Sequence, residues 1–127
     1  MNLLLDTQIW LWYITESPQL SRASFELISS ADNHLYVSTI SVWETAIKLA
    51  LNKLKPVVEL SIITNDPTIT FIAFEIAEAM RVQHLPLYHQ DPFDRAIIAH
   101  ASQKGLVLIT ADKTLRLYEN EVRMIFV

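Results

Sequence analysis

The sequence contains no cysteine and only one glycine, Gly105, among its 127 residues. Without cysteine there is no disulfide framework, no thiolate zinc site and no thiol nucleophile, and the chain is compatible with a reducing compartment. With a single glycine, neither a Walker loop nor a dinucleotide fingerprint can be built, since each needs several. No apolar run approaches the roughly 20 residues that span a bilayer. Met1 to Asp6 lacks a basic segment and is interrupted by an acid, so it is not expected to act as a signal peptide. Cytoplasm is the expected location. A basic excess is missing too: 10 Lys and Arg stand against 14 Asp and Glu, a net charge of −4. A uniformly basic face that grips nucleic acid is therefore not expected. That objection weakens where several acids gather around bound cations, because the ions then reverse the local field.

Apolar residues make up 51% of the chain, enough for a core at this length and for some apolar surface besides. A homodimer or hetero-complex is expected, built from one domain over residues 1–127. Short apolar runs alternate with helical patterns, the rhythm of βα units. Strands are expected at Leu3–Leu5, Leu35–Val37, Thr70–Phe74, Leu106–Ile109 and, at an edge, Met124–Phe126. They lack the alternation of a one-sided sheet, as when helices cover both faces. The helices are expected at Ser21–Ala31, Ser41–Asn52, Leu60–Asn65, Glu75–Val82 and Pro92–Lys104, the last closed by Gly105. The fold class is α/β, with a mostly parallel sheet of four to five strands.

In such sheets, function collects beyond the carboxyl ends of the strands. Asp6 directly follows the first strand and Asp112 follows the fourth. Glu44 and Asp94 fall in the first turns of helices expected to open onto the same edge. Carboxylates gathered in one crevice repel one another unless protons or cations intervene. All-oxygen ligands suit hard ions, Mg²⁺ or Mn²⁺, and such ions activate water for phosphodiester displacement. Hydrolysis of nucleic acid is the expected chemistry.

Three of the four acids also have a plainer role open to them. Asp6 can cap a short helix beginning near Ile9, and Glu44 can complete a capping box with Ser41. Asp91, Pro92 and Asp94 make a full helix-start signature; the cap is assigned to Asp91, which stays a possible supporting residue, and the metal role to Asp94. Arg95 can contact a scissile phosphate or pair with an acid. His34, His84, His89 and His100 show no metal-ligand spacing and read as surface or satisfied polar positions, His89 lying nearest the acidic turn. Trp10, Trp12, Tyr13 and Trp43 read as core rather than base-stacking platforms. Since Trp10, Trp12 and Tyr13 cannot all face one way on a helix, part of that cluster is expected at a protein interface.

Four segments, in order and spacing, resemble PIN-domain ribonucleases, and most closely the VapC-type toxins of toxin–antitoxin pairs. They are Leu4 to Trp12; Ser38 to Lys48 around Ser41-Val42-Trp43-Glu44; Leu85-Pro86 with His89 to Arg95; and Leu108 to Asp112. The resemblance implies a PIN-like three-layer fold, with Asp6, Glu44, Asp94 and Asp112 as the metal-binding acids and Thr7 or Thr110 as hydroxyl helpers. It also implies RNA as substrate, an antitoxin that blocks the site, and dimerisation. Two alternatives stand beside it. An aspartyl-phosphate phosphatase would use Asp6 as nucleophile, but the acid two residues on is replaced by Gln8. A catalytically silent PIN-fold binding module would not need all four acids.

Overall fold

The computed structural model describes residues 1–54 and 58–127. Five strands form one all-parallel sheet: β1 (Asn2–Leu5), β2 (His34–Ser38), β3 (Ile69–Ile72), β4 (Val107–Thr110) and β5 (Met124–Phe126), in the spatial order β3-β2-β1-β4-β5. Strand order reverses beside β1. There β1 pairs with both β2 and β4, with Leu5 opposite Ile109. The residues after β1 and β4 therefore emerge side by side, and the Asp6 N–H donates to the Ile109 carbonyl at 3.1 Å.

The sheet is covered on both faces, as the absence of a polar strand face predicts. Leu3 and Leu5 of β1 point into one core with α1 (Thr7–Ile14) and α2 (Arg22–Ser29), while Leu4 between them points into the other with α6 (Pro92–Lys104). All three leucines are fully buried, each contributing about 1.5–3 kcal/mol of burial. The second core also receives Ile40 from α3 (Thr39–Ala50), Val82 from α5 (Ile76–Val82), and Leu115 and Tyr118 from a 3-10 segment, Lys113–Tyr118. A short α4 (Leu60–Ile63) precedes β3. Among the described residues, no helix is long and apolar enough to cross a membrane.

Most expected elements are present, with shifts that matter at the site. The first helix starts at Thr7 rather than near Ile9, with Asp6 as its cap. α3 starts at Thr39 and is capped by Ser38, whose hydroxyl accepts from the Ile40 N–H at 3.1 Å; Ser41 is its third residue and not its cap. Glu44 accordingly lies in the second turn and belongs to no capping box. The 3-10 segment after Asp112 carries no helical periodicity and so has no counterpart among the expected elements. At the far end of α6, Gly105 adopts φ +66°, the left-handed conformation that closes a helix.

Arg95 fills neither expected role. It is 8% exposed and turns away from the acids, toward the chain preceding α6. Its Nη1 donates to the carbonyls of Pro86 (2.8 Å) and His89 (3.3 Å), and its Nη2 to those of Val82 (3.0 Å) and Leu85 (3.3 Å). The fully buried Tyr118 hydroxyl joins the cluster, donating to the Pro86 carbonyl at 2.8 Å and accepting from the His89 N–H at 2.9 Å. This cluster folds residues 82–89 around one guanidinium and so sets where α6 begins. Arg95→Lys keeps the charge but loses the planar fork, leaving buried carbonyls unmatched. Chemical denaturation is expected to show a loss of about 2 kcal/mol; a change within ~0.5 kcal/mol would contradict this reading.

Candidate active site

Asp6, Glu44, Asp94 and Asp112 all line one crevice beyond the carboxyl ends of β1 and β4, together with Thr7, Gln8, Lys48 and Asp91. Four different elements deliver the four acids. Asp6 and Asp112 sit where chains leave neighbouring strands, and Glu44 and Asp94 on α3 and α6, whose amino-terminal halves face the same edge.

Local capping and site geometry coexist because a carboxylate has two oxygens. Asp6 Oδ1 accepts from the Ile9 N–H at 2.8 Å, capping α1. Asp112 Oδ1 accepts from the Thr114 N–H at 3.0 Å and from its hydroxyl at 2.6 Å, capping the 3-10 segment. Asp91 Oδ1 accepts from the N–H groups of Phe93 (2.9 Å) and Asp94 (3.0 Å), so the cap of α6 falls to Asp91 as the sequence suggested. Asp94, in the first turn, is left facing the crevice.

Burial raises the pKa of Asp6 to about 6; the Thr110 hydroxyl and the Ile9 N–H oppose the rise, while the charges of Glu44 and Asp112 add to it. Asp94 is likewise pushed up to about 6, first by burial and then by Asp91, with His89 opposing and Glu44 and Asp112 adding. The two hydroxyls link the acids. Thr110, fully buried, stands beside Asp6 and accepts from the Asp112 N–H at 3.0 Å. Thr7 Oγ1 lies 2.7 Å from Glu44 Oε1, to which it donates, and 2.9 Å from Ser41 Oγ. Glu44 also pairs with Lys48 at 3.0 Å. Among the described residues it is the one of the four acids with a lysine partner.

His89, in sequence merely the histidine nearest the acidic turn, joins the site in space. Donor atoms of His89, Asp94 and Asp112 all lie within 4.8 Å of one another, close enough to surround one ion. The His89 Nδ1 accepts from the Asp91 N–H at 3.1 Å, so the neutral ring carries its proton on Nε2, 3.4 Å from Asp94 Oδ2. In that tautomer His89 is a proton-bearing neighbour of Asp94 rather than a ligand. No sequence spacing could reveal it, since the contact depends on how the Arg95 cluster folds the preceding chain.

The other singled-out residues divide cleanly. His100 is buried, its Nδ1 2.8 Å from Ser38 Oγ and its Nε2 3.7 Å from Glu78, and burial lowers its pKa. His34 and His84 are exposed. Trp10 is fully buried against Phe71, whereas Trp43, expected in the core, is 58% exposed and packs edge-on against Phe93. Trp12 and Tyr13 are half-buried.

A model of the PIN domain matches residues 3–120. Among solved structures, the chain is similar to a chain of VapBC2 from Rickettsia felis bound to a DNA fragment from its promoter, with a TM-score of 0.74 and 18% identity over 99% of this chain and 98% of that one. FitAcB from Neisseria gonorrhoeae gives 0.69 and 20%, covering 98% and 96%. VapBC-5 from Mycobacterium tuberculosis, a member of the VapBC family of toxin–antitoxin systems, gives 0.66 and 16%, covering 99% and 98%. At these identities the structures speak for the fold alone. No curated protein of known function matches. The family match covers nearly the whole α/β core that carries the acidic crevice: the chain belongs to the PIN-domain family.

Proposed function

We propose that this protein is a divalent-metal-dependent endoribonuclease, acting in the cytoplasm as the toxin of a VapC-type toxin–antitoxin pair. The observation that carries the reading is the convergence of four acids from four elements on one crevice, two of them with pKa values near 6. Carboxylates crowded to this degree favour either protons or cations. Membership in the PIN family supports a nuclease, and the VapBC and FitAB complexes among the structural relatives support an antitoxin partner. The aspartyl-phosphate alternative is weaker, because Gln8 offers an exposed amide where that chemistry needs a second acid.

The donor set fits Mg²⁺ or Mn²⁺, being built from carboxylate oxygens. Asp6, Asp94 and Asp112 would hold the cation, with Glu44 beside them on the wall of the same crevice. When bound, it supplies the positive charge that acidifies water and offsets charge building on the phosphodiester. The chain's own groups do the rest. Thr110 and the Ile9 N–H fix the Asp6 carboxylate, Thr7 fixes Glu44, and the Asp91 cap with His89 fixes Asp94. Hydrolysis by water leaves a 5′-phosphate and a 3′-hydroxyl and requires no side-chain nucleophile.

Asp94→Asn is expected to reduce Mg²⁺- or Mn²⁺-dependent RNA cleavage at least ~100-fold while leaving the fold intact. Sequencing RNA ends after brief induction, wild type against variant, checks this; full cleavage by the variant would refute the mechanism. A second expectation follows from the raised pKa of Asp6. Between its unfolded value of 3.8 and its folded value of about 6, the native protein holds more protons than the unfolded chain. Stability therefore falls as pH rises through that window, and the cost is complete above it. Asn retains the cap without the charge. In EDTA at neutral pH, Asp6→Asn is expected to melt above wild type, with the gap closing near pH 4. The opposing effect of His100 is common to both proteins and cancels. Added Mn²⁺ should raise the melting point of wild type far more than that of the variant. A variant less stable than wild type in EDTA at neutral pH would sink the idea.

A further inference from the structure

A groove runs from the acidic crevice along α1. Gln8, Leu11 and Leu54 line both, so the two are one continuous depression. The groove continues past Trp12 and Thr15 to Gln19. Gln8, Leu11, Trp12 and Thr15 stand at i, i+3, i+4 and i+7, a single stripe along the helix that begins at the Asp6 cap. Helix geometry therefore aims the stripe directly away from the acids.

The chemistry of that stripe differs sharply from that of the crevice. Among the described residues, the groove lining carries no charged side chain. It holds two amides, hydroxyls, one indole and an aliphatic floor at Leu11, which is 6% exposed. Among the described residues it offers a phosphate no cationic partner. An indole supplies a stacking face that any base can use, and each amide offers a donor and an acceptor to a base edge. From Gln8 to Thr15 the helix rises roughly 10 Å, the length of about three stacked nucleotides.

Resting on the ribonuclease reading above, we propose that this groove is the nucleobase subsite: it takes unpaired bases flanking the scissile phosphate, stacking one on Trp12 and reading edges with Gln8 and Gln19. Charge divides the work. Cations in the crevice receive the phosphate, and the groove, uncharged among its described residues, receives bases splayed from a single strand, which is how RNA sequence becomes accessible to side chains. Specificity of the cut is thereby set by α1 and the turn after it, not by the acids.

The test compares RNA-end profiles produced by wild type, Trp12→Leu and Gln19→Leu, all neutral replacements. Mn²⁺ binding by calorimetry and the far-ultraviolet circular dichroism spectrum serve as controls that should not move, while the melting point of Trp12→Leu is expected to fall modestly because Trp12 packs against the core. Trp12→Leu is expected to lower cleavage of preferred sites about ten-fold, and Gln19→Leu to relax base preference within about three nucleotides of the cut. Unchanged profiles with intact controls would overturn the inference, as would a uniform loss that leaves base preference intact. Variants that cut like wild type but escape a co-expressed antitoxin would assign the groove to a protein segment and overturn it equally. If wild type itself cuts no RNA, the ribonuclease reading fails and takes this inference with it. Should Trp12→Leu not fold, crosslinking of 4-thiouridine RNA to wild type, with Ca²⁺ replacing Mg²⁺, decides: adducts within residues 11–19 support the subsite, and adducts confined elsewhere refute it.

Discussion

Mutual repulsion among carboxylates at one edge of the sheet is the constraint around which this structure is arranged. Asp6 and Asp94 each feel the charges of Glu44 and Asp112, and burial adds to the cost of ionising them. A fold that gathered these groups for no purpose would lose stability at neutral pH. The surrounding structure contains the repulsion without removing it. Backbone N–H groups at three chain turns each take one carboxylate oxygen, of Asp6, Asp91 and Asp112. Thr7 and Lys48 quiet Glu44. What remains is a crevice with negative charge to spare, open to hard cations.

The parallel sheet is what makes the gathering possible. Because strand order reverses between β1 and β4, the chain leaves two adjacent strands toward opposite faces and opens a gap between them. Asp6 and Asp112 mark the lips of that gap. Thr110, the last residue of β4, reaches across it, touching one acid and accepting a hydrogen bond from the backbone of the other.

Much of this could be read from the sequence, and the failures share a cause. Strand-end acids are legible because apolar runs announce the strands and position alone brings their ends together. Ser41-x-x-Glu44 satisfies a local rule that puts Glu44 in the first turn, whereas the true cap is Ser38, whose hydroxyl also meets His100 from distant chain. The role of Arg95 is hidden from the sequence because its partners are main-chain carbonyls, which carry no side-chain signature. Trp43 was expected inside because large aromatics usually are, and nothing local distinguishes it from Trp10. In each case a short-range pattern was correct as far as it went, and a contact made by distant chain overrode it.

The hydrogen bond between Ser38 and His100 has a mechanical meaning. Ser38 ends β2 and caps α3, and His100 lies within α6, so one buried contact of 2.8 Å ties the start of the helix that carries Glu44 to the helix that carries Asp94. The two helices cannot slide past one another without stripping a cap and exposing an imidazole to a dry core. The spacing of two acids on the outer rim is thus clamped from beneath, by residues that never meet solvent.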